Sequence, residues 1–558
     1  MAKNKPWLTG CCILLIVICA VALVSLCIAT LLGAGCSSGS FRHAAVAADS
    51  QLCSEIGKNI LQQGGSAVDG AIAALLCTSV VNPQSMGIGG GSFVVVRNKT
   101  GNVKVYNFRE TVPLKVKANL LNDCPTEFKL STGSQWIGVP GELRGYEALH
   151  RQYGRLSWAK LFEPTIKLAR EGIPMPPYLA YLMSYVFVKQ HVEKSSLCDV
   201  LCNKNKTVLS KDDTLQFSKL AETLETIAEQ GVEAFYTGRI GLDLIQDIKD
   251  AGGTLTMDDL RSYKVLVGSP WTVSLGTHQM HIAPPPAGGA LLAFILRIMQ
   301  GFSLSSDSLV GKKKIQMYHH YIEAAKFANG QKWNIADPVF SNSKIADHLI
   351  HPSFTDHIRR KISSRTHNNS YYFNIKPPSD HFGTTHVSVL DEDGLAVSAT
   401  STVNQLFGGA VYSPRTGIIL NNELADFCGR VDLIRAGERP PSSMTPFILE
   451  KRSGGILVMG GSGGSMITTS VALSLINHLW LGMSLKESIA APIIFVDSNN
   501  FVNFEPGFDE AVKDGLRALG HQAGNWKFFV NVVNALEKEN GCIEAVSDSR
   551  KKGMSAGY

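Results

Sequence analysis

The sequence is poor in charged residues. Of its 558 residues, 18% are charged and 45% are hydrophobic, whereas roughly 25% are charged in an ordinary soluble domain. This balance excludes intrinsic disorder and predicts a large buried core. Basic runs are short as well, since none exceeds the three residues seen at 312–314, and the net charge of +6 is spread thinly. We therefore do not expect nucleic acid as a partner.

Signatures of metal and cofactor binding are also missing. Cys198 and Cys202 fit either a local disulfide or half of a metal site, and the sequence offers no second such pair, which disfavours zinc. His320 and Glu323 have a spacing found in metal ligands on a helix, but no third ligand is evident, so we interpret them as structural. The glycine run at 87–91 precedes a strand and lacks the Gly-Lys-Ser/Thr of a phosphate loop. We expect neither a metal nor an organic cofactor.

Charge is absent altogether from residues 8–32. A helix of that length can cross a hydrocarbon core of about 30 Å. Lys3 and Lys5 precede the run and Arg42 is the first charge after it, so the positive-inside rule places residues 1–7 in the cytoplasm and the remainder outside. The alternative is a cleaved signal peptide, whose apolar core usually spans about 7–15 residues. We predict a single-pass type II protein of the plasma membrane with an extracellular active domain.

Beyond the apolar run, the chain has features of an extracellular domain. Glycosylation sequons begin at Asn98, Asn205 and Asn368. Five of the 12 cysteines lie in or beside the apolar run, and the other seven follow it: Cys53, Cys77, Cys124, Cys198, Cys202, Cys428 and Cys542. An oxidising compartment predicts disulfides among them. Because seven is odd, we expect at least one thiol to be free or paired between chains.

Local patterns predict several elements. Small residues at 64–74 predict a tightly packed buried helix, and β-branched residues at 92–96 predict a strand. The middle of the chain, roughly 151–362, has helical periodicity, with the clearest helices at 220–229, 240–251 and 315–327. Alternating residues around an Asp-Glu-Asp-Gly turn then predict a β-hairpin over 383–403.

The start of this hairpin suggests chemistry. A hydroxyl that directly follows a glycine, as in Gly383-Thr384, can attack the preceding carbonyl and break the chain by an N-to-O acyl shift. The cut would leave Thr384 with an α-amine of pKa about 7.7–8.0, which can act as the base for its own hydroxyl. Thr385 competes for the same role. The alternative is an ordinary hairpin in which the threonines are present only because they favour the β conformation.

A second glycine-rich segment, residues 460–464, lies between an apolar strand at 455–459 and a helical run at 466–481. Backbone N–H groups in such a turn can stabilise an oxyanion. The same five residues also read Gly-x-Ser-x-Gly, the nucleophile elbow of an α/β-hydrolase. In that alternative Ser462 attacks, with Asp497 and His521 following in the required order.

Four short motifs together resemble one family. Residues 107–110 read Asn-Phe-Arg-Glu, 421–426 read Asn-Asn-Glu-Leu-Ala-Asp, 441–444 read Pro-Ser-Ser-Met, and 547–551 read Ser-Asp-Ser-Arg-Lys. From residue 44 to the end, the chain is similar to the gamma-glutamyltransferases, which are self-cleaving N-terminal-nucleophile hydrolases. The resemblance implies an α/β fold of αββα layers and a heterodimer of two chains. The ectodomain part of the large chain would comprise residues 33–383 and the small chain residues 384–558.

The resemblance also implies roles for individual residues. In catalysis, Thr384 is the nucleophile made by cleavage after Gly383, Thr402 positions its hydroxyl, and Gly463 and Gly464 hold the oxyanion. The substrate ends in a zwitterion, which needs a cation and donors for its carboxylate and acceptors for its ammonium. The resemblance assigns the first group to Arg109, Ser442 and Ser443, and the second to Asn404, Glu423 and Asp426. It further implies disulfides at Cys53, Cys77, Cys198 and Cys202.

For the substrate, the resemblance implies cleavage of gamma-glutamyl bonds in glutathione and glutathione S-conjugates, with transfer to water or to acceptor peptides or amino acids. Residues 135–146, 283–289 and 437–443 most resemble the members that convert leukotriene C4 to leukotriene D4. A hypothesis of another class is an anchored paralogue that has lost activity and acts as a binding protein. The matched polar positions are all occupied, which argues against it.

Overall fold

The computed structural model describes residues 16–20, 36–37, 39–124, 133–341, 346–373, 380, 382–529 and 532–558. The strands, numbered along the chain, are β1 (Ala45–Ala47), β2 (Gly91–Arg97), β3 (Val103–Asn107), β4 (Ile173–Pro174), β5 (Thr214–Leu215), β6 (Leu266–Gly268), β7 (Trp271–Leu275), β8 (His278–Ile282), β9 (Thr385–Leu390), β10 (Ala396–Thr402), β11 (Val411–Tyr412), β12 (Ile419–Leu420), β13 (Phe447–Lys451), β14 (Ile456–Ser462), β15 (Ile494–Val496), β16 (Val502–Phe504), β17 (Val532–Glu539), β18 (Cys542–Val546) and β19 (Ala556–Gly557).

The α-helices are α1 (Gln51–Gln62), α2 (Ala67–Val81), α3 (Glu142–Tyr153), α4 (Trp158–Glu171), α5 (Pro177–Met183), α6 (Val186–Glu193), α7 (Cys198–Leu201), α8 (Ser218–Gln230), α9 (Glu233–Tyr236), α10 (Arg239–Asp250), α11 (Met257–Ser262), α12 (Gly289–Gln300), α13 (Gly311–Asn329), α14 (Pro352–Lys361), α15 (Ile467–Leu479), α16 (Leu485–Ala490) and α17 (Glu510–Ala518). The helices predicted at 220–229, 240–251 and 315–327 are confirmed as α8, α10 and α13.

Two antiparallel sheets pack face to face at the centre. The first has the strand order β19-β1-β9-β10-β2-β3-β6 and the second has the order β18-β17-β14-β13-β8-β7. Helices α1 and α2 cover the outer face of the first sheet, whereas α12 and α15 cover the second. This is the αββα layering that we expected. Because β9, β10 and β14 are central strands, residues at their ends meet between the sheets.

Helix α2 shows why the first layer packs closely. All 15 of its residues are buried, and its small residues permit close approach, as at Gly70, where an added Cβ would lie 3.1 Å from the Leu61 side chain. Its first turn is closed by a capping box in which Ser66 accepts from the Asp69 N–H and Asp69 accepts from the Ser66 N–H. The predicted buried helix is confirmed.

The predicted hairpin is also confirmed. Strands β9 and β10 pair with Ser388 opposite Ser398 and Thr385 opposite Ser401. Between the sheets, Ser398 Oγ donates to the Met459 carbonyl at 2.9 Å. The His386 ring packs against Gly460, and a Cβ added to Gly460 would lie only 2.3 Å from that ring. Register between the sheets is therefore tightly specified.

The N-terminal segment is described only in part. Residues 16–20 are helical, and the rest of the predicted anchor at 8–32, like the predicted cytoplasmic tail at 1–7, lies outside the described residues. Within the described ranges, no helix combines the length and apolarity needed to cross a membrane. Of the sequon residues, Asn205 and Asn368 are exposed and Asn98 is half-buried. The anchor and the glycosylation remain predictions.

Four disulfides join eight of the described cysteines, as Cys36–Cys542, Cys53–Cys77, Cys124–Cys428 and Cys198–Cys202, whereas Cys19 is free. The expectation of a free or interchain thiol among the last seven cysteines is wrong. It failed because we grouped Cys36 with the apolar run, whereas Cys36 reaches across the fold to pair with Cys542. Two of the four bonds connect residues on opposite sides of the Gly383–Thr384 peptide.

Candidate active site

The hairpin brings two threonine hydroxyls together. Thr384 directly precedes β9 and Thr402 ends β10, so pairing of the strands places their Oγ1 atoms 3.0 Å apart. Thr402 Oγ1 also accepts the Asn404 N–H at 2.8 Å. Both threonines are almost completely buried. The Thr384 hydroxyl is thus held by a partner that is itself fixed.

The neighbouring threonine points elsewhere. Thr385 Oγ1 donates to the Asp49 carboxylate at 2.8 Å, on the side of the strand away from Thr402. Thr384 has a φ of +81°, a conformation that is strongly disfavoured for a β-branched residue. The two candidates are therefore distinguished by geometry, and only Thr384 combines backbone strain with a positioned hydroxyl.

The Gly383 carbonyl is held by the glycine-rich turn. Its oxygen accepts the Gly463 N–H at 2.9 Å. A Cβ on residue 383 would lie 1.8 Å from the Asn404 carbonyl oxygen, so only glycine fits here. The carbonyl that Thr384 would attack thus already contacts a backbone donor from the predicted oxyanion site.

That turn follows directly from β14, which extends to Ser462 and is longer than the strand predicted at 455–459. Gly463 and Gly464 have φ values of +116° and +60°, a region that favours glycine. The chain then enters a short 3₁₀ turn and α15. The sharp reversal directs the Gly463 N–H back toward Gly383.

A second feature of the site is the buried cation Arg109. We define the Arg109 cluster as Arg109, Glu110, Glu423 and Asp426. The Arg109 guanidinium contacts the Glu423 carboxylate, pairs with Asp426 Oδ2 at 2.5 Å, and donates to the Pro440 and Pro441 carbonyls at 3.2 and 3.0 Å. The resemblance assigns Arg109 and the two acids to opposite ends of the substrate, whereas in the structure they pair with one another.

Burial dominates the electrostatics of the Arg109 cluster. It opposes the charge on Arg109, but Glu423, Asp426 and Glu110 more than offset this and keep the Arg109 pKa above its ordinary value. Burial raises the pKa of Glu423 well above its usual range, although Arg109 lowers it, and burial raises that of Glu110 to about 8. Both Glu110 carboxylate oxygens lack a hydrogen-bond partner among the described residues. The cluster therefore contains more acid than its single guanidinium can satisfy.

Two of the remaining predicted binding residues, Ser442 and Ser443, border a cleft that Asp426 also lines. A narrow cleft of about 50 Å³ is lined by Asp426, Ser442, Ser443 and Ser465. Asn404 follows Thr402 by two residues and has a φ of +76°. Its Nδ2 donates to the Asn422 carbonyl at 3.2 Å. The structure thus brings Asp426 of the Arg109 cluster and the two serines to one cleft, whereas Asn404 contacts Thr402 and does not line that cleft.

Sequence reasoning missed a second buried cation behind Thr384. We define the Lys551 cluster as Lys551, Asp49, Ser462 and Asn534. The Lys551 ammonium contacts Asp49 Oδ2 at 2.8 Å, the Thr384 carbonyl at 2.7 Å and Ser462 Oγ at 2.7 Å. Its only signal in the sequence is the family-like ending at 547–551, to which we gave no chemical role.

The three residues of the α/β-hydrolase alternative do not contact one another in the described part of the chain. Ser462 is bonded to Lys551, whereas His521 Nε2 lies 2.8 Å from His319 Nδ1, and Asp497 accepts from Asn503. The required Ser-His-Asp contacts are therefore missing among the described residues, and the interpretation of Ser462 as an elbow nucleophile is wrong.

His319, Glu323 and His521 lie close enough together to suggest a metal site. His319 Nδ1 and Nε2 contact His521 and the Ser363 carbonyl, and His521 Nδ1 accepts from Lys326. Tyr372 donates to Glu323. Hydrogen bonding with a buried ammonium therefore accounts for the cluster. The histidine near Glu323 is His319 and not His320, whose ring stacks on Phe302.

Comparisons with known proteins decide the family. The family description "Gamma-glutamyltranspeptidase" matches residues 53–558. The chain belongs to the gamma-glutamyltranspeptidase family. Relatives of this family member include "Glutathione hydrolase 5 proenzyme" of Rattus norvegicus, 46% identical over 541 residues, and of Homo sapiens, 46% identical over 555 residues; each alignment covers 94% of both chains.

A solved structure supports the same fold. Cephalosporin acylase from Bacillus halodurans is similar with a TM-score of 0.81 and 24% identity, covering 93% of this chain and 96% of that one. At this identity the likeness shows the α/β fold alone. The family assignment confirms the resemblance drawn from the four motifs, and it makes the chain an enzyme of the gamma-glutamyltranspeptidase family.

Proposed function

We propose that this chain is a self-cleaving gamma-glutamyl hydrolase and transferase in which Thr384 is the nucleophile. The observation that carries the proposal is the pairing of the Gly383 carbonyl with the Gly463 N–H, beside the Thr384 hydroxyl that Thr402 holds. One site thus contains a nucleophile, a carbonyl and a backbone donor for the oxyanion.

In self-cleavage, Thr384 Oγ1 attacks the Gly383 carbonyl carbon. The Gly463 N–H stabilises the oxyanion, the C–N bond breaks, and the hydroxyl proton goes to the departing nitrogen, which becomes the Thr384 α-amine. Water then hydrolyses the ester and frees the Gly383 carboxylate. The strained φ of Thr384 favours this step because cleavage removes the constraint on the backbone.

In turnover, the same hydroxyl attacks the γ-carbonyl of the substrate. The α-amine takes the hydroxyl proton and returns it to the leaving amine, while Gly463 and Gly464 stabilise the oxyanion. The resulting γ-glutamyl ester passes to water or to an acceptor amine. We assign the substrate α-carboxylate to Arg109, Ser442 and Ser443, and its α-ammonium to Asn404, Glu423 and Asp426.

We further propose glutathione, its S-conjugates and leukotriene C4 as substrates. The relatives named glutathione hydrolase 5 support glutathione. Next to the narrow cleft lies a larger cavity of about 490 Å³, which shares Trp333 and Pro441 with it and is also lined by Phe340 and Arg435. Apolar and basic groups there suit a leaving group that carries an acyl chain and carboxylates.

Cleavage would leave a membrane-anchored large chain, whose ectodomain comprises residues 33–383, and a small chain of residues 384–558. Cys36–Cys542 and Cys124–Cys428 each join one chain to the other. We therefore propose a heterodimer that is linked by two disulfides and anchored in the plasma membrane through residues 8–32.

The decisive experiment compares Thr384→Ala with Thr384→Ser. Wild type and Thr384→Ser should run as two fragments under reducing conditions, with the small fragment beginning at residue 384. Thr384→Ala should remain one inactive chain, because it lacks the hydroxyl. An active wild-type protein that stays uncut would contradict the proposal. A cut wild type that releases no γ-glutamyl product would instead support an inactive paralogue.

The substrate proposal is tested by kinetics of the purified ectodomain with glutathione and leukotriene C4. Phe340→Ala should lower kcat/KM more for leukotriene C4 than for glutathione, since it removes apolar contact only in the larger cavity. Val339→Ala is a matched control, because Val339 is exposed and does not line that cavity. Equal losses for both substrates would argue against this placement of the leaving group.

A further inference from the structure

The Lys551 ammonium is unusually well enclosed. Its side chain is 2% exposed and that of Asp49 is fully buried. An ammonium has three N–H donors, and those of Lys551 are all used by Asp49, the Thr384 carbonyl and Ser462 Oγ. These three acceptors are enough to explain how the ammonium can be buried.

The Asp49 carboxylate is equally satisfied. Besides Lys551, it accepts from Thr385 Oγ1 at 2.8 Å and from Asn534 Nδ2 at 2.7 Å. Asn534 Nδ2 also donates to the His386 carbonyl at 2.7 Å. The Lys551 cluster thus fixes the first residues of β9 from two directions.

Stability alone does not explain this arrangement. A buried ion pair is often no more stabilising than apolar side chains of the same size, because both charges must be desolvated. What apolar side chains cannot supply is a donor for the Thr384 carbonyl. Thr384 lies before the ladder of β9 and has a left-handed φ, so its carbonyl depends on Lys551.

The second acceptor, Ser462, directly precedes Gly463. One ammonium therefore contacts both the nucleophilic residue and the strand end that carries the oxyanion donor. We propose that Lys551 is a positioning residue, which keeps Thr384 and Gly463 in register so that the hydroxyl and the N–H meet the same carbonyl. This inference rests on the proposed role of Thr384.

The test is the double variant Asp49→Asn/Lys551→Met, which leaves no buried charge unpaired. Once matured, it should retain wild-type KM within about twofold, since the substrate cleft is untouched, whereas kcat per cleaved chain and the rate of self-cleavage should each fall at least about tenfold. That loss corresponds to about 1.4 kcal/mol in the barrier.

The matched control is Asp247→Asn/Arg415→Met. Like Asp49, Asp247 is a buried carboxylate, and its ion pair with Arg415 likewise joins the part of the chain before residue 383 to the part after it. The Asp247–Arg415 pair does not contact Thr384. The control should lose thermal stability without a tenfold loss in kcat. If both double variants lose kcat in proportion to stability, Lys551 is merely structural and the inference is overturned.

Ser462→Ala provides a second readout in case the double variant does not fold, because it changes no charge. It should lower kcat several-fold at unchanged KM. If Ser462→Ala, or a folded double variant, has wild-type kcat and wild-type cleavage, the role of Lys551 is overturned but the proposed function is not. An active wild-type chain without a terminus at residue 384 would instead overturn the proposed function.

Discussion

The two buried cations, Lys551 and Arg109, differ in how completely they are paired. In the Lys551 cluster each ammonium hydrogen and each carboxylate oxygen of Asp49 has a partner. The Arg109 cluster contains three carboxyl groups around one guanidinium, and Glu110 has no hydrogen-bond partner among the described residues. Satisfied polar networks are rigid, whereas an excess of buried acceptors can receive a ligand cation. We infer that the first cluster holds the backbone and the second exchanges partners when the substrate zwitterion enters.

The strongest test of this contrast is Arg109→Ala. Loss of a charge-assisted bidentate partner for the substrate carboxylate costs about 1.5–3 kcal/mol. We expect kcat/KM to fall by about 10- to 150-fold, chiefly through KM, as measured by steady-state kinetics. Self-cleavage should survive, because the Gly383 carbonyl needs no carboxylate clamp. An unprocessed protein would show that Arg109 instead supports folding.

A second test loosens the Arg109 cluster from outside. Cys428 directly follows the 3₁₀ turn Glu423–Phe427, which carries both acidic partners, and its disulfide to Cys124 anchors that turn. Cys124→Ser/Cys428→Ser should raise KM several-fold and change kcat less. Cys198→Ser/Cys202→Ser is the control, because this disulfide lies within the large chain and away from the turn. Equal effects on KM would remove the special role of the Cys124–Cys428 bond.

A third test perturbs the Lys551 cluster. Asn534→Ala removes the donor to Asp49 Oδ1 and to the His386 carbonyl. Leaving such buried acceptors unsatisfied costs about 1–3 kcal/mol of folding stability, which chemical denaturation would measure. The same kinetic assay should show a modest fall in kcat at unchanged KM. A rise in KM with constant kcat would contradict the division of roles between the clusters.

The smallest effect concerns pH. Burial raises the pKa of Glu110 from 4.5 to about 8, so between these values the folded chain keeps a proton that the unfolded chain has lost. Stability from this group is therefore present at low pH and falls as pH rises from about 4.5 to about 8. Glu110→Gln has no such proton, and its Tm should drop less than that of wild type between these pH values. A parallel decline in both proteins would exclude Glu110 as the cause.

Local sequence was sufficient for the elements of the site. The hairpin was predictable because alternation and an Asp-Gly turn act over a few residues, and Gly383-Thr384 stands out within it. The resemblance of four motifs supplied the candidate binding residues. The same reasoning also admitted a Ser462 triad, since the order of three residues along a chain says nothing about whether they meet.

Short-range patterns were enough to predict several helices, the hairpin and the family, because these depend on periodicity and on residue identity within compact motifs. Tertiary structure alone decided that Arg109 pairs with Glu423 and Asp426, that Cys36 reaches Cys542, and that Lys551 lies behind Thr384. The physical reason is distance along the chain. Partners separated by more than a hundred residues meet only when the two sheets pack and bring the turns and strand ends that carry them together.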